Sequence, residues 1–280
     1  MIGVFDSGHG GLTVQRHLSA MLPEESFVYL GDHARAPYGG RPPLEVLAFT
    51  QAGCARLFAQ GCRLVILACN TAATRALRRL QQVWLPATAP ERRILGVVVP
   101  TIEAITGMPW ADAPPLSREP RAPATIGIFG TRLTVESDVY PIEVAKRAPE
   151  ARVIQEACLD LAMAIERDAA EPVLEELVAA STRALLAGLE GRRLDAVALA
   201  CTHYPLVAPL FMRHLPQGTP LLSQGELTAL SLSAYLERHP RFRRLPGEAP
   251  GCRYLTTGDP AAVSRIATRF AGQSVVFEAA

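Results

Sequence analysis

The sequence predicts an α/β protein made of two similar lobes with mainly parallel sheets. Three observations lead there. Short apolar runs alternate with longer stretches of helical period almost throughout, the pattern of strand–helix–strand units. Two polar turns each occur twice in matching surroundings: "MIGVFDSGHGGLTV" at residue 1 is echoed by "TIGIFGTRLTVES" at 125, and "LVILACNTAA" at 64 by "AVALACTHYP" at 196. Finally, a chain of 280 residues is longer than the ~250 at which a single core stops growing. Duplication of one α/β unit accounts for all three.

In chain order, the expected strands are Met1–Phe5, Phe27–Leu30, Leu64–Ala68, Ile94–Val99, Thr125–Phe129, Arg152–Ile154, Ala196–Ala200 and Pro220–Leu222. Amphipathic stretches lie between them, among them "GLTVQRHLSAML", "LEVLAFTQAGCARLFAQG" and "EPVLEELVAASTRALLAGLEG", with apolar residues recurring near every 3.6 positions. The break in the pattern is "GMPWADAPPLSREPRAPA", residues 107 to 124, rich in Pro and Ala and without either period. It reads as a link between lobes or a long surface loop.

Composition narrows the function. Hydrophobic residues at 49% and charged residues at 20% describe a soluble globular chain. The net charge is +1 and the arginines are scattered, so no basic stripe marks a nucleic-acid partner. The opening residues lack the basic and apolar regions of a secretory signal, and no run reaches the ~18 apolar residues of a spanning helix. A cytoplasmic location without membrane contact is expected. The six cysteines, at 54, 62, 69, 158, 201 and 252, form no CxxC pair and no zinc-like spacing, so free thiols and no metal are expected. The single lysine, Lys146, sits in "EVAKRAPE" at what reads as a solvated helix end, a poor place for the Schiff base of a pyridoxal-phosphate enzyme.

Ligands of open parallel sheets bind beyond the carboxyl ends of the strands. Four polar turns fall there: "DSGHGG" (6–11), "CNT" (69–71), "GTRLT" (130–134) and "CTH" (201–203). Asn or Thr in the cysteine turns suits helix capping, which leaves backbone N–H groups aimed at an anion such as a small carboxylate. The "APYGG" loop (36–40) offers Tyr38 as a cover. A lone cysteine at a strand end is ordinarily core packing, and Cys54, Cys62, Cys158 and Cys252 are read so. Cys69 and Cys201 differ, because each stands in the duplicated strand–turn–helix context and is followed by hydroxyl or amide side chains. A helix N-terminus lowers a thiol pKa, and Asp6 and His203 are the charged helpers at hand. Alone, Asp6 reads equally as a turn-former and His203 as a cap. Two thiols facing each other across a cleft suit inversion of a stereocentre, one taking a proton from one side of a carbon while the other delivers one to the opposite side.

Together, "GVFDSGHGGLTV", "VYLGDHARAPYGGRP", "LACNTAA", "IGIFGT", "LACTHYPLV" and "YLTTGDPAAV" resemble, in this order and over nearly the whole chain, the cofactor-independent aspartate/glutamate racemase family, glutamate racemases in particular. The resemblance implies interconversion of L- and D-glutamate without cofactor, in the service of peptidoglycan synthesis. It implies Cys69 and Cys201 as the catalytic acid/base pair, with Asp6, Ser7, Tyr38, Gly39, Asn70, Thr71, Thr202 and His203 lining the substrate site and Thr131 as a further contact. Glu166 falls where the family carries a carboxylate near the second cysteine. It also implies lobes related by a pseudo-twofold, with the active site in the cleft between them. On this basis residues 1–100 plus about 224–280 form the first lobe and about 101–223 the second, in a chain that often dimerises.

The chain departs from the family pattern at His9, at Met163 where a proline is usual, and at Ser223–Gln224 where the turn usually reads Asp-Ser-Gly; the 107–124 link is also longer. Other readings stay open at this point: a racemase of aspartate or another amino acid, a silent carboxylate-binding protein, and a cysteine hydrolase, which would leave the second thiol unexplained.

Overall fold

The computed structural model describes residues 1–109 and 124–280. Most of the 107–124 link therefore lies outside the described residues. The elements run β1 (Ile2–Asp6), α1 (Leu12–Met21), β2 (Ser26–Gly31), α2 (Pro43–Ala59), β3 (Leu64–Leu67), α3 (Asn70–Arg79), α4 (Leu85–Thr88), β4 (Arg93–Gly96), α5 (Val98–Thr106), β5 (Thr125–Gly130), α6 (Arg132–Val135), α7 (Val139–Arg147) and β6 (Arg152–Ala157). They continue with α8 (Leu161–Glu166), α9 (Glu171–Ala187), β7 (Ala196–Ala200), α10 (Ala208–His214), β8 (Leu221–Leu222), α11 (Gln224–Arg238), β9 (Gly251–Thr256), α12 (Pro260–Ala271) and β10 (Phe277–Ala279). The protein is α/β, and the chain divides into two compact units, Met1–Val97 with Gly225–Ala280, and Val98–Gln224.

The first unit holds a six-stranded sheet in the order β10-β9-β2-β1-β3-β4, with every pairing parallel. Its central strands β1, β2 and β3 are buried along their whole length, because a parallel sheet is covered on both faces; hence their continuous apolar runs. The second unit holds a four-stranded parallel sheet in the order β6-β5-β7-β8. This repeats the order β2-β1-β3-β4 of the first, so the duplicated turns of the sequence occupy equivalent strand ends.

Local chemistry sets the helix ends. Pro43 opens α2 and Pro260 opens α12, positions where the missing N–H costs nothing. Asp259 caps α12 by accepting from the Ala262 N–H at 2.6 Å, and Gly272 ends it at φ 73°, a backbone state that glycine adopts without strain.

The structure corrects three sequence expectations. The strand expected over 94–99 ends at Gly96, and Val98 opens α5; the apolar run continues because this helix buries Val98, Thr101 and Ile102, and Pro100 is tolerated in its first turn. The strand expected over 152–154 extends to Ala157, since an edge strand leaves Gln155 and Glu156 partly solvated. Strands β9 and β10 are additions to the expected set: they form one side of the first sheet, where several residues are exposed and the apolar signal is diluted. Lys146 is exposed near the end of α7 and pairs with Glu143 at 2.7 Å.

Candidate active site

In the first unit the register of β1 and β3 pairs Phe5 with Leu67. Continued by two residues, it brings Ser7 opposite Cys69, and the Cys69 thiol donates to the Ser7 hydroxyl oxygen at 3.6 Å. Cys69 is itself the N-cap of α3: the Ala72 N–H donates to its sulfur at 3.5 Å. The cap expected of Asn70 or Thr71 is thus made by the sulfur, and both residues lie buried in the first helical turn. An amide proton and a helix N-terminus aimed at sulfur both favour its anionic form. Asp6 is fully buried at the end of β1 and accepts from the Gly8 N–H at 2.9 Å. It fits only because Gly11 has no side chain, since a Cβ there would lie 2.5 Å from Asp6 Cβ and 2.9 Å from the Tyr29 hydroxyl.

Tyr38 points into the first unit. Its ring is buried between Phe5 and Phe49, and its hydroxyl donates to Asp32 at 2.6 Å. Burial, the Asp32 carboxylate and Cys69 together raise the phenol pKa far above its usual range, so Tyr38 is a permanent donor. Asp32 also accepts from Thr257 at 2.7 Å and from Arg35 at 3.2 Å. The sequence reading missed this buried carboxylate; its signal was an acid placed directly after the apolar run of β2. Gly39 follows Tyr38 in the same turn, which contains a cis peptide bond at Ala36–Pro37.

In the second unit β5 pairs Gly130 with Ala200, so Thr131 stands in register with Cys201 as Ser7 does with Cys69. The Thr131 hydroxyl caps α6, accepting from the Thr134 N–H at 3.3 Å. The segment after Cys201 differs from its counterpart: Thr202 and His203 lead into a short 3₁₀ turn, Tyr204–Val207, and His203 makes no side-chain cap. Instead His203 Nδ1 lies 3.8 Å from Cys201 Sγ and its Nε2 lies 2.6 Å from Glu166 Oε2. Burial disfavours a charged imidazole here, but the bonds to Cys201 and Glu166 outweigh it and push His203 up to about 10. At neutral pH both ring nitrogens therefore carry protons, one donated to the sulfur and one to the carboxylate. Ser7 and Tyr38 lie near the first thiol, which Asn70 and Thr71 directly follow; His203, itself bonded to Glu166, lies beside the second, which Thr202 directly follows.

The remaining cysteines are packing residues. Burial pushes Cys62 and Cys158 up to about 12 and Cys54 higher still. Cys252, expected in the core, is partly exposed on β9, although burial of its thiol also pushes it up to about 12. Among the described residues no three His, Cys, Asp or Glu side chains come together as metal ligands, and no helix is long and apolar enough to cross a membrane.

No protein-family model matches the chain. A glutamate racemase of Phenylobacterium zucineum is 48% identical over 284 residues, covering 100% of this chain and 99% of its own length. The chain belongs to the glutamate racemase family. Among solved glutamate racemases, the RacE1 isoform of Bacillus anthracis is 30% identical with a TM-score of 0.82, covering 100% of this chain and 97% of that one. The Francisella tularensis enzyme, solved in complex with D-glutamate, shares the fold at a TM-score of 0.82 and 24% identity, covering 100% of this chain and 96% of that one. Two departures from the glutamate racemase pattern now have a structural account. His9 Nε2 bonds the Val263 carbonyl at 3.0 Å and the ring stacks on Phe270, which places it against α12. Gln224 is buried, donating to the Thr101 and Tyr140 hydroxyls at 2.8 and 2.9 Å.

Proposed function

We propose that this protein interconverts L- and D-glutamate without a cofactor by proton transfer between two thiols. The observation that carries the reading is the repeated strand end: a cysteine following β3 and β7, each in register with a hydroxyl residue of the neighbouring strand. The thiolate of Cys201 removes the α-hydrogen of L-glutamate, and the Cys69 thiol returns a proton from the opposite side. From D-glutamate the roles exchange. Each turnover moves one proton onto one sulfur and one off the other, so charge balances and the pair finishes poised for the reverse reaction.

Backbone N–H groups at the start of α3, with the side chains of Ser7, Asn70, Thr71, Thr131 and Thr202 and the turn at Tyr38–Gly39, hold the substrate carboxylates and stabilise the carbanion. The two thiols are served by different helpers: Cys69 by its helix N-terminus and Asp6, Cys201 by His203 backed by Glu166. Glutamate is the substrate named for the relatives. A role in supplying D-glutamate to peptidoglycan, in the cytoplasm and as a homodimer, extends the same reading and rests on family membership.

The decisive experiment incubates L-glutamate with the protein in heavy water, alongside aspartate and other amino acids. Deuterium at the α-carbon together with loss of optical rotation, for glutamate above the rest, is the expected result; absence of both rejects the activity. Cys69→Ser and Cys201→Ser should each abolish turnover, by a factor of about a thousand or more for loss of a reacting group. Full turnover in both would reject the two-thiol scheme.

A further inference from the structure

Tyr29 is a buried group that the mechanism above leaves unused. It stands in β2 in register with Val4 of β1, and its ring packs with Tyr254 of β9 and Phe277 of β10 at centroid distances of 6.1 and 6.0 Å. From there its hydroxyl reaches past the end of β1 and donates to the Gly8 carbonyl at 2.6 Å. Gly8 is buried, and its carbonyl oxygen lies against Gly31 of β2, where a Cβ would come within 2.9 Å of it. The same residue also holds the site: the Gly8 N–H donates to Asp6 Oδ1 at 2.9 Å, and Ser7, one position earlier, accepts from the Cys69 thiol at 3.6 Å. Gly11 leaves room for the hydroxyl and Asp6 together. A phenylalanine would fill the same ring site, so packing alone does not account for the hydroxyl; its proton goes to a carbonyl that burial keeps from water.

We propose that Tyr29 is a positioning residue for the first thiol: by pinning the Gly8 carbonyl, its hydroxyl fixes the turn that sets Asp6 and Ser7 in place for Cys69. The contacts run from the C-terminal strands β9 and β10 to the Tyr29 ring, from its hydroxyl to Gly8, and from Gly8 to Asp6 by a hydrogen bond and to Ser7 by the peptide bond. Without the phenolic proton a buried carbonyl loses this donor. The turn relieves that cost by shifting Gly8, which loosens the N–H that Asp6 accepts and the hydroxyl that Cys69 meets. The inference rests on the reading that Cys69 transfers a proton, but it concerns the order of the turn and is readable without turnover.

The test is Tyr29→Phe, read by amide hydrogen exchange of Gly8, with Val65 and Ile66 of the buried strand β3 in the same sample as internal control. The Gly8-to-β3 protection ratio is expected to fall about tenfold, the worth of one buried hydrogen bond. With glutamate, kcat/KM should fall about tenfold. The α-deuterium isotope effect should rise more for D-glutamate, whose proton Cys69 removes, than for L-glutamate. 4-Aminophenylalanine inserted at 29 keeps nearly the same shape with a weaker N–H donor, so its ratio should lie about two- to threefold below the native one. That variant alone carries the test should Tyr29→Phe fail to fold. A ratio unchanged in a folded variant, whatever the melting temperature does, overturns the proposal, and so does a fallen ratio with native kcat/KM. A ratio that falls in a protein whose native form is inactive toward glutamate upholds the pinning of the turn and rejects the catalytic reading alone.

Discussion

At the scale of single residues, the two thiols reach similar burial by different means. Cys69 is 5% exposed and has an amide proton on its sulfur; Cys201 is 5% exposed and has an imidazole. The bonds to Cys201 and to Glu166 together hold the His203 proton, so Glu166→Gln should move the titration midpoint of His203 down from about 10, followed by NMR of its ring protons. The sign for stability follows. A pKa raised on folding contributes stability that is fully present below about 6.5 and lost as pH rises through about 10. The melting temperature of the native chain should therefore fall over that window more steeply than that of Glu166→Gln. The packing cysteines give a contrasting outcome: at pH 7 to 8, mass spectrometry after brief alkylation should find Cys54, Cys62 and Cys158 unmodified in the folded protein, because burial holds them as thiols.

At the scale of elements, turns and strand ends carry the site. The β1–α1 turn closes over Asp6 because Gly11 presents no Cβ. Its φ of −61° is open to any residue, so the constraint is one of space. Gly11→Ala should cost about 1–3 kcal/mol of overpacking, measured by urea unfolding, and should displace Asp6. Gln224, at the start of α11, ties Thr101 of α5 to Tyr140 of α7. Gln224→Leu removes two buried hydrogen bonds and should lower unfolding stability by about 1–3 kcal/mol. The motifs were legible in the sequence at this scale because strand–turn–helix units are local: apolar runs, a polar turn and a helical period lie within about fifteen residues. The end of β4 was not legible, since an apolar run looks alike whether a strand or a buried helix face carries it.

At the scale of the whole molecule, the C-terminal segment completes the first unit. Strand β9 pairs with β2, and β10 with β9. Thr257, just past β9, donates to Asp32, which holds Tyr38. Phe277 packs against Tyr29 and His33, and Phe270 against His9. Deleting residues 249–280 removes two strands and a helix from one sheet, strips the edge of β2 and uncovers that aromatic cluster. The shortened chain should lose cooperative thermal unfolding and its near-ultraviolet circular dichroism, and gain dye binding to exposed apolar surface.

The sequence by itself determined the α/β class, the duplicated units and the two cysteines at matched strand ends, because each follows from periods and turns repeated along the chain. Only the tertiary structure decided that Tyr38 turns inward to Asp32, that Glu166 backs His203, and that Thr257 reaches Asp32 across 225 positions of chain. Those pairings arise when parallel strands stack in a particular order and register, which brings the ends of remote strands to one edge. A hydrogen bond of that kind depends on position in space, which no local pattern of residue types records.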